Sequence, residues 1–502
     1  MRFVSAIALI CTALSLILLA LRIGGALSFS VPLQVITSGW EQESLVALWE
    51  WVYGGAIYVS PFDVPYRWSV YNWLFYVSYG TGIEIFINSL SLSDAWIPTI
   101  GRILTFAAVV IGVVLTYHSF ATVLGPWEHH PKILYLAFAV LVMAGPLVGF
   151  WAISNRPDIG ALVFEIAAVT IYWHLHNHRP LTAILVFCLL AYTAWAFKQT
   201  AITATTGLGL YLLLRRDWKP MFLMAILMVA SWSTTLALGP SAYVKSILMM
   251  EYEKIFSMTH MFSVFINFAS KFVPSLLGAT AVVFVLVYSG RLMESWRNNE
   301  ALAFATSGAL AGALLVVTTT PLESSAENYY FTFAYFLTLL LLAGLRSVVV
   351  TNLSQRLVIN ALTLGWVIQS LALIFVLFGL AGVISVYPTH VQRMVNKACL
   401  DTLERPTFVA DRYLSLPWMT PGTTSFVLGY GYNKLRTYGQ NMEKGGIGGL
   451  IEDKYFATLA LPLQTTETFD GGRLIGYLPA AVNCPPFKIF LRAPSLSGKI
   501  YK

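Results

Sequence analysis

Four short segments of the chain carry residue types that suit acid–base or phosphate chemistry, and each lies beside a long apolar run. The first is Gly39-Trp40-Glu41-Gln42-Glu43. Two carboxylates one residue apart suit a general base with a supporting partner, or a metal contact. Their plain structural use is as acids in the first turn of a helix, where the dipole favours them. The second is Asn155-Arg156-Pro157-Asp158, with Pro157 placed for a helix first turn and Asp158 just inside it. An arginine beside a carboxylate at a membrane surface can hold a phosphate while the aspartate works on a hydroxyl. The third is Phe197-Lys198-Gln199-Thr200, in which Lys198 is the only charge between Leu181 and Leu214. Lys198 either snorkels to the interface or binds phosphate. The fourth is Glu323-Ser324-Ser325-Ala326-Glu327-Asn328-Tyr329-Tyr330. A polar cluster running into tyrosines suits a hydroxyl-rich ligand such as a sugar, or an ordinary turn with interface tyrosines.

The elements that must position these groups follow from composition. The chain has 502 residues, of which 57% are hydrophobic and only 11% charged, and its mean hydropathy is +0.70. A soluble domain carries roughly 25% charged residues. So few charges exclude a soluble enzyme, a disordered chain and a nucleic-acid-binding module, and indicate a polytopic α-helical membrane protein. A spanning helix needs about 20 mostly apolar residues. Eleven stretches qualify: 4–27, 95–122, 132–152, 157–175, 180–197, 200–214, 219–239, 272–290, 301–320, 328–345 and 357–386. The first is longer than the apolar core of a signal peptide and is interrupted late by Arg22, which favours an uncleaved anchor.

Lysine and arginine set the orientation. With a cytoplasmic N-terminus, alternation puts Lys132, Arg179, Arg215, Arg216, Lys219, Arg291, Arg297, Arg346 and Arg356 on the cytoplasmic face. The opposite face receives a long first loop (28–94), a middle loop (240–271), the four segments above, and the tail from 387. The net charge of +7 has the same origin, an excess of basic residues in cytoplasmic loops. The expected organisation is a transmembrane module over 1–386 and a small extracytoplasmic α/β domain over 387–502. In that tail Phe426-Val427-Leu428 and Phe456–Leu461 read as strands and Val391–Leu403 as a helix.

Several other features carry less. Trp40, Trp49, Trp51, Tyr53, Tyr58, Tyr66, Trp68, Tyr71, Trp73 and Tyr76 crowd the first loop. They suit an interface belt, and by the same physics stacking on sugar rings. His129-His130 and the alternating His174, His176 and His178 form two cytoplasmic groups; the HxHxH run could bind a metal, but with no acid or cysteine beside it reads as a solvated cytoplasmic turn. Cys11 and Cys188 sit in apolar runs as small hydrophobes, and no CxxC occurs. Cys399 and Cys484 can pair if the tail faces an oxidising compartment. Gly445-Gly446-Ile447-Gly448-Gly449 lacks the preceding strand and the spacing of a dinucleotide site, and reads as a turn.

The ordered set of Glu41 and Glu43, Tyr71-Asn72-Trp73-Leu74-Phe75-Tyr76, Asn155–Leu162, Phe197-Lys198-Gln199-Thr200-Ala201 and the Glu-Asn-Tyr-Tyr-Phe run resembles the GT-C superfamily. These are polyprenyl-phosphate-sugar-dependent glycosyltransferases. The likeness is nearest the bacterial branch related to protein O-mannosyltransferases and to the aminoarabinose transferase of lipid A. It implies a sugar donor on a polyprenyl phosphate, presented from the inner membrane of a bacterium. Transfer would go, with inversion, to a lipid, glycan or protein acceptor on the periplasmic face. The family's first-loop acid matches Glu41 or Glu43, and its second carboxylate matches Asp158. Arg156 and Lys198 are then the donor-phosphate ligands, with Trp40, Gln199, Glu327, Asn328 and Tyr329 as substrate contacts. Which of Glu41, Glu43 and Asp158 is the base stays open. The reaction needs no nucleotide; a divalent ion (Mg or Mn) could share the cationic work, although no metal-binding cluster is assigned.

Two other classes compete. A secondary transporter usually shows two similar halves and helices broken near the midplane; the chain has no internal repeat and its charges gather at one face. A non-catalytic subunit of a membrane complex would use the aromatic face to bind partners.

Overall fold

The computed structural model describes residues 2–27, 41–125, 132–249, 256–322, 325–348, 352–386, 390–411, 414–420, 430–437, 442–482 and 484–493. Trp40, His129, His130, Glu323, Ser324 and the expected strand at Phe426-Val427-Leu428 lie outside these residues.

Long apolar runs become helices because in lipid every backbone polar group must find its partner within the segment. In chain order the helices are α1 (Arg2–Leu27), α2 (Gln42–Val52), α3 (Trp73–Leu90), α4 (Ile97–Leu124), α5 (Lys132–Ala144), α6 (Asp158–Leu175), α7 (Pro180–Phe197), α8 (Thr203–Arg215) and α9 (Trp218–Leu238). They continue with α10 (Ser241–Met249), α11 (Met258–Lys271), α12 (Val273–Tyr288), α13 (Leu292–Asn298), α14 (Glu300–Thr319), α15 (Phe331–Ser347) and α16 (Asn352–Val386).

Each of the eleven expected spans contains a helix, but not every one is long enough to cross. Among the described residues eight helices have the length and apolarity of a span, or nine if α11 and α12, bent by 93° at Phe272, count as one. The expectation of about eleven is corrected by α5 and α8. Each has 13 residues, about 20 Å of helix against roughly 30 Å of hydrocarbon. The expected middle loop is not irregular either, because α10 and α11 occupy most of 240–271. α15 runs through the centre of the bundle and is buried along most of its length, whereas α9 shows Phe222, Ile226 and Val229 outward. Exposed side chains of that kind are what a lipid-facing helix presents.

The first loop is mostly ordered by α2 and α3, which pack on each other and on α4. The C-terminal region is a small α/β unit. Helix α17 (His390–Asp401) precedes a four-stranded sheet in the order β1 (Thr407–Val409), β2 (Thr458–Pro462), β6 (Phe487–Arg492), β5 (Tyr477–Pro479). β1 and β2 are parallel and the other pairs antiparallel. A hairpin of β3 (Thr468–Phe469) and β4 (Gly472–Arg473) lies apart from that sheet. Cys399 and Cys484 form a disulfide that ties the end of α17 to the segment before β6. The apolar residues of α2 (Leu45, Val46, Leu48) share one buried cluster with Leu400, Trp418, Ala460 and Ile489 of the C-terminal region.

Candidate active site

Helix ends converge at one end of the bundle. After α5 the chain breaks at Gly145-Pro146, makes a short 3-10 turn over Gly149–Ile153 and reaches the start of α6. There Pro157 stands at the N-cap and Asp158 in the first turn. Asp158 is 3% exposed. Its Oδ2 accepts a hydrogen bond from Arg156 Nε at 3.1 Å. Its Oδ1 accepts from Lys198 Nζ and from Asn328 Nδ2, each at 2.6 Å.

Each donor arrives for a local reason. Lys198 is delivered because α7 ends at Phe197 and the next residue turns to extended backbone. α6 and α7 approach closely here because residue 160 is glycine. A Cβ at Gly160 would stand 2.7 Å from the Phe197 ring. Asn328 sits in the 3-10 turn Glu327–Tyr330 that leads into α15. Charged groups out of water are held only when paired and hydrogen-bonded, and here two cations and an amide occupy one carboxylate.

Aromatic rings cover both cations. The Arg156 guanidinium lies 5.7 Å from the Tyr71 ring centre and 5.9 Å from that of Trp151. Lys198 Nζ lies 5.0 Å from the Tyr329 ring centre. Cation–π contacts of this kind favour a cation without consuming its hydrogen-bond donors. Beside the cluster is a cavity of about 340 Å³, its open mouth included. Asp158, Glu165, Lys198, Thr200, Asn328 and Tyr329 are among its walls.

The acidic pair of the first loop splits in two. Glu41 is fully buried. It pairs with Arg102 at 3.1 Å and accepts the Asn155 backbone N–H at 2.6 Å. Arg102 in turn donates to the Ala26 carbonyl at 2.6 Å. Glu41 thus ties the end of α1, α4 and the segment before α6 to the start of α2. Asn155 comes this close to α4 because residue 101 is glycine; its Oδ1 occupies the place a Cβ would take. Glu43 is only partly buried and lines a second open cavity of about 400 Å³. There it meets Tyr66, Trp68, the paired Glu50 and Arg67, and Tyr432 from the C-terminal region. Tyr71, whose ring faces Arg156, also interacts electrostatically with Glu43 and Asp158.

The remaining sequence candidates fall on either side of this cluster. Gln199 Nε2 donates to the Val70 carbonyl at 3.0 Å, which fastens the first loop over the site. Glu327 turns away from Asp158 and pairs with Lys271 of α11 at 2.7 Å. His176 Nδ1 lies 2.8 Å from the Trp173 carbonyl and its ring stacks on Tyr172. No group of three or more His, Cys, Asp or Glu converges among the described residues. Two buried charges escaped the sequence reading, Arg102 in α4 and Glu165 in α6. Each lies inside an apolar run that reads as a span. The available signal was the cost of an ionisable group at membrane depth.

The arrangement can bind an anion beside Asp158 through cations that already converge there. It can also bring a hydroxyl-bearing molecule to Glu43. No family model matches the sequence, and no curated protein does. Among solved structures, ArnT from Cupriavidus metallidurans bound to undecaprenyl phosphate aligns with a TM-score of 0.55 and 12% identity, over 98% of this chain and 98% of that one. The apo state of the same protein gives a TM-score of 0.53 and 12% identity, over 97% of this chain and 98% of that one. The chain is therefore a polytopic helical membrane protein with an ArnT-like fold over nearly its whole length.

Proposed function

We propose that the protein is an inverting glycosyltransferase that moves a sugar from a polyprenyl phosphate to a hydroxyl acceptor on the outer face of a bacterial inner membrane. The observation that carries this reading is the convergence of Arg156 and Lys198 on Asp158, beside an open cavity at one end of the bundle. The ArnT-like fold and the undecaprenyl phosphate bound in that relative support the donor class. The Cys399–Cys484 disulfide supports an extracytoplasmic C-terminal region over 387–502, since such bonds persist in oxidising compartments.

In this reading the donor phosphate occupies the cavity and takes a hydrogen bond from Lys198, Arg156 adds its charge from beside Asp158, and Asn328 and Tyr329 stand on the walls. Asp158 holds both cations in place between turnovers. Glu43, which lines an open cavity, is the base in this reading, and Glu41 and Asp158 hold the cations around it. The acceptor oxygen attacks the anomeric carbon and loses its proton to Glu43. The bond from that carbon to the phosphate oxygen breaks, and the lipid phosphate leaves with a growing negative charge that the two fixed cations stabilise. Trp40, Gln199 and Glu327 are further substrate contacts of the proposal. Lipid, glycan and protein are the acceptor classes, and membrane lipids surround the bundle.

The test is to incubate purified protein with a panel of polyprenyl-phosphate sugars and to measure sugar release and transfer. Turnover of one donor, lost in Asp158→Asn, supports the reading. Inertness toward the whole panel, with solute uptake by proteoliposomes, replaces it with a transporter.

A further inference from the structure

Glu165 has no part in the chemistry above, yet its placement bears on it. It lies seven residues after Asp158 on α6, nearly two helical turns, and so on the same face. It is 3% exposed. One oxygen accepts the backbone N–H of Ala204 at 2.8 Å. The other accepts the hydroxyl of Thr332. Ala204 is in the first turn of α8, directly after the Lys198–Ile202 connection. Thr332 is in the first turn of α15, directly after the turn that carries Asn328. Each oxygen of Glu165 therefore holds the element that delivers one of the donors to Asp158.

A carboxylate in the apolar interior of a span is costly, and the hydrogen-bond donors named here are neutral. The first turn of a helix, with unpaired N–H groups and the positive end of the dipole, is where such a charge is best compensated. The carboxylate also borders the same cavity as Asp158 and Lys198. We infer that Glu165 is a positioning residue. It clamps the starts of α8 and α15 to α6, so that Lys198 and Asn328 present their donors to a lipid phosphate. This inference rests on the phosphate role of the cavity proposed above.

A double-mutant cycle tests it, with undecaprenyl phosphate as the probe and detergent-solubilised full-length protein. Glu165→Gln and Thr332→Val should each weaken binding about tenfold, the scale of one hydrogen bond to a charged group. In a background that carries both Lys198→Ala and Asn328→Ala the same changes should alter binding less than about twofold, because sites acting through a shared partner are non-additive. A merely structural role would weaken binding equally in both backgrounds. That result, or wild-type binding by both variants, overturns the inference. Thermal unfolding of each variant checks the fold, and if Glu165→Gln does not fold, Thr332→Val alone decides. If Lys198→Ala itself binds undecaprenyl phosphate as tightly as the wild type, the phosphate site fails and the inference with it. If Lys198→Ala binds weakly and the cycle is additive, only the role of Glu165 fails.

Discussion

Asp158 accepts three hydrogen bonds on two oxygens, two of them from cations. Asp158→Asn keeps the shape but removes the charge that gathers Arg156 and Lys198. Sugar transfer should disappear while thermal unfolding in detergent shows a folded protein; full activity would remove Asp158 from the mechanism. Lys198→Ala deletes a phosphate ligand and should raise the donor Kd more than it lowers turnover at saturating donor. An unchanged donor affinity counts against the phosphate role. The two loop acids should separate cleanly. Glu41→Gln strands the buried Arg102, and breaking a buried pair costs about 3–5 kcal/mol, so its signature is lost stability. Glu43→Gln keeps the shape of a partly buried side chain at the cavity wall and should leave the melting temperature and donor affinity in place while abolishing turnover. The acidic pair is visible in the primary chain, but the difference between its members is not. One residue of spacing turns Glu41 toward α4 and Glu43 toward the cavity.

At the scale of elements, the apolar runs and their breaks were legible. The helix before Lys198 ends one residue ahead of it, and Asp158 opens α6 after Pro157, as the order of residue types suggests. α17 and β2 likewise fall where the tail was expected to hold a helix and a strand. What misled was counting apolar residues without measuring helix. The stretches 132–152 and 200–214 are apolar enough, but they hold only 13-residue helices. Close packing of α6 on α7 also could not be read from hydropathy, since it depends on the absence of a side chain at Gly160. A Cβ at residue 160 would meet the Phe197 ring, so Gly160→Ala should push that ring aside and, through the chain, shift its neighbour Lys198 relative to Asp158. Overpacking of this kind costs about 1–3 kcal/mol. Transfer activity should fall further than stability does, and an alanine variant with wild-type kinetics would show that the α6–α7 spacing is not critical.

In the whole molecule the first loop and the C-terminal region form one body above the bundle. The Tyr66 hydroxyl donates to the Glu443 carbonyl at 2.5 Å, and Glu443 Oε2 accepts the Val64 N–H at 2.9 Å. The Cys399–Cys484 disulfide closes a loop with a sequence separation of 85 on the C-terminal side of this body. Its reduction should shift the mobility of the protein on electrophoresis. It should also lower the unfolding temperature of the C-terminal region, by about 2–5 kcal/mol of stability. Free thiols in freshly purified protein would contradict the bond.

The primary chain by itself determined that this protein lives in a membrane, which runs become helices, and which charged segments stand at their ends. These are sums over neighbouring residues, and hydropathy and charge add locally. Only the tertiary structure decided which cation faces which carboxylate. Apart from its neighbour Arg156, the partners of Asp158 lie 40 and 170 positions away, and those of Glu41 lie 61 and 114 away. Pairing over such separations is set by how helices pack, which rests on small residues and shape rather than on any local pattern.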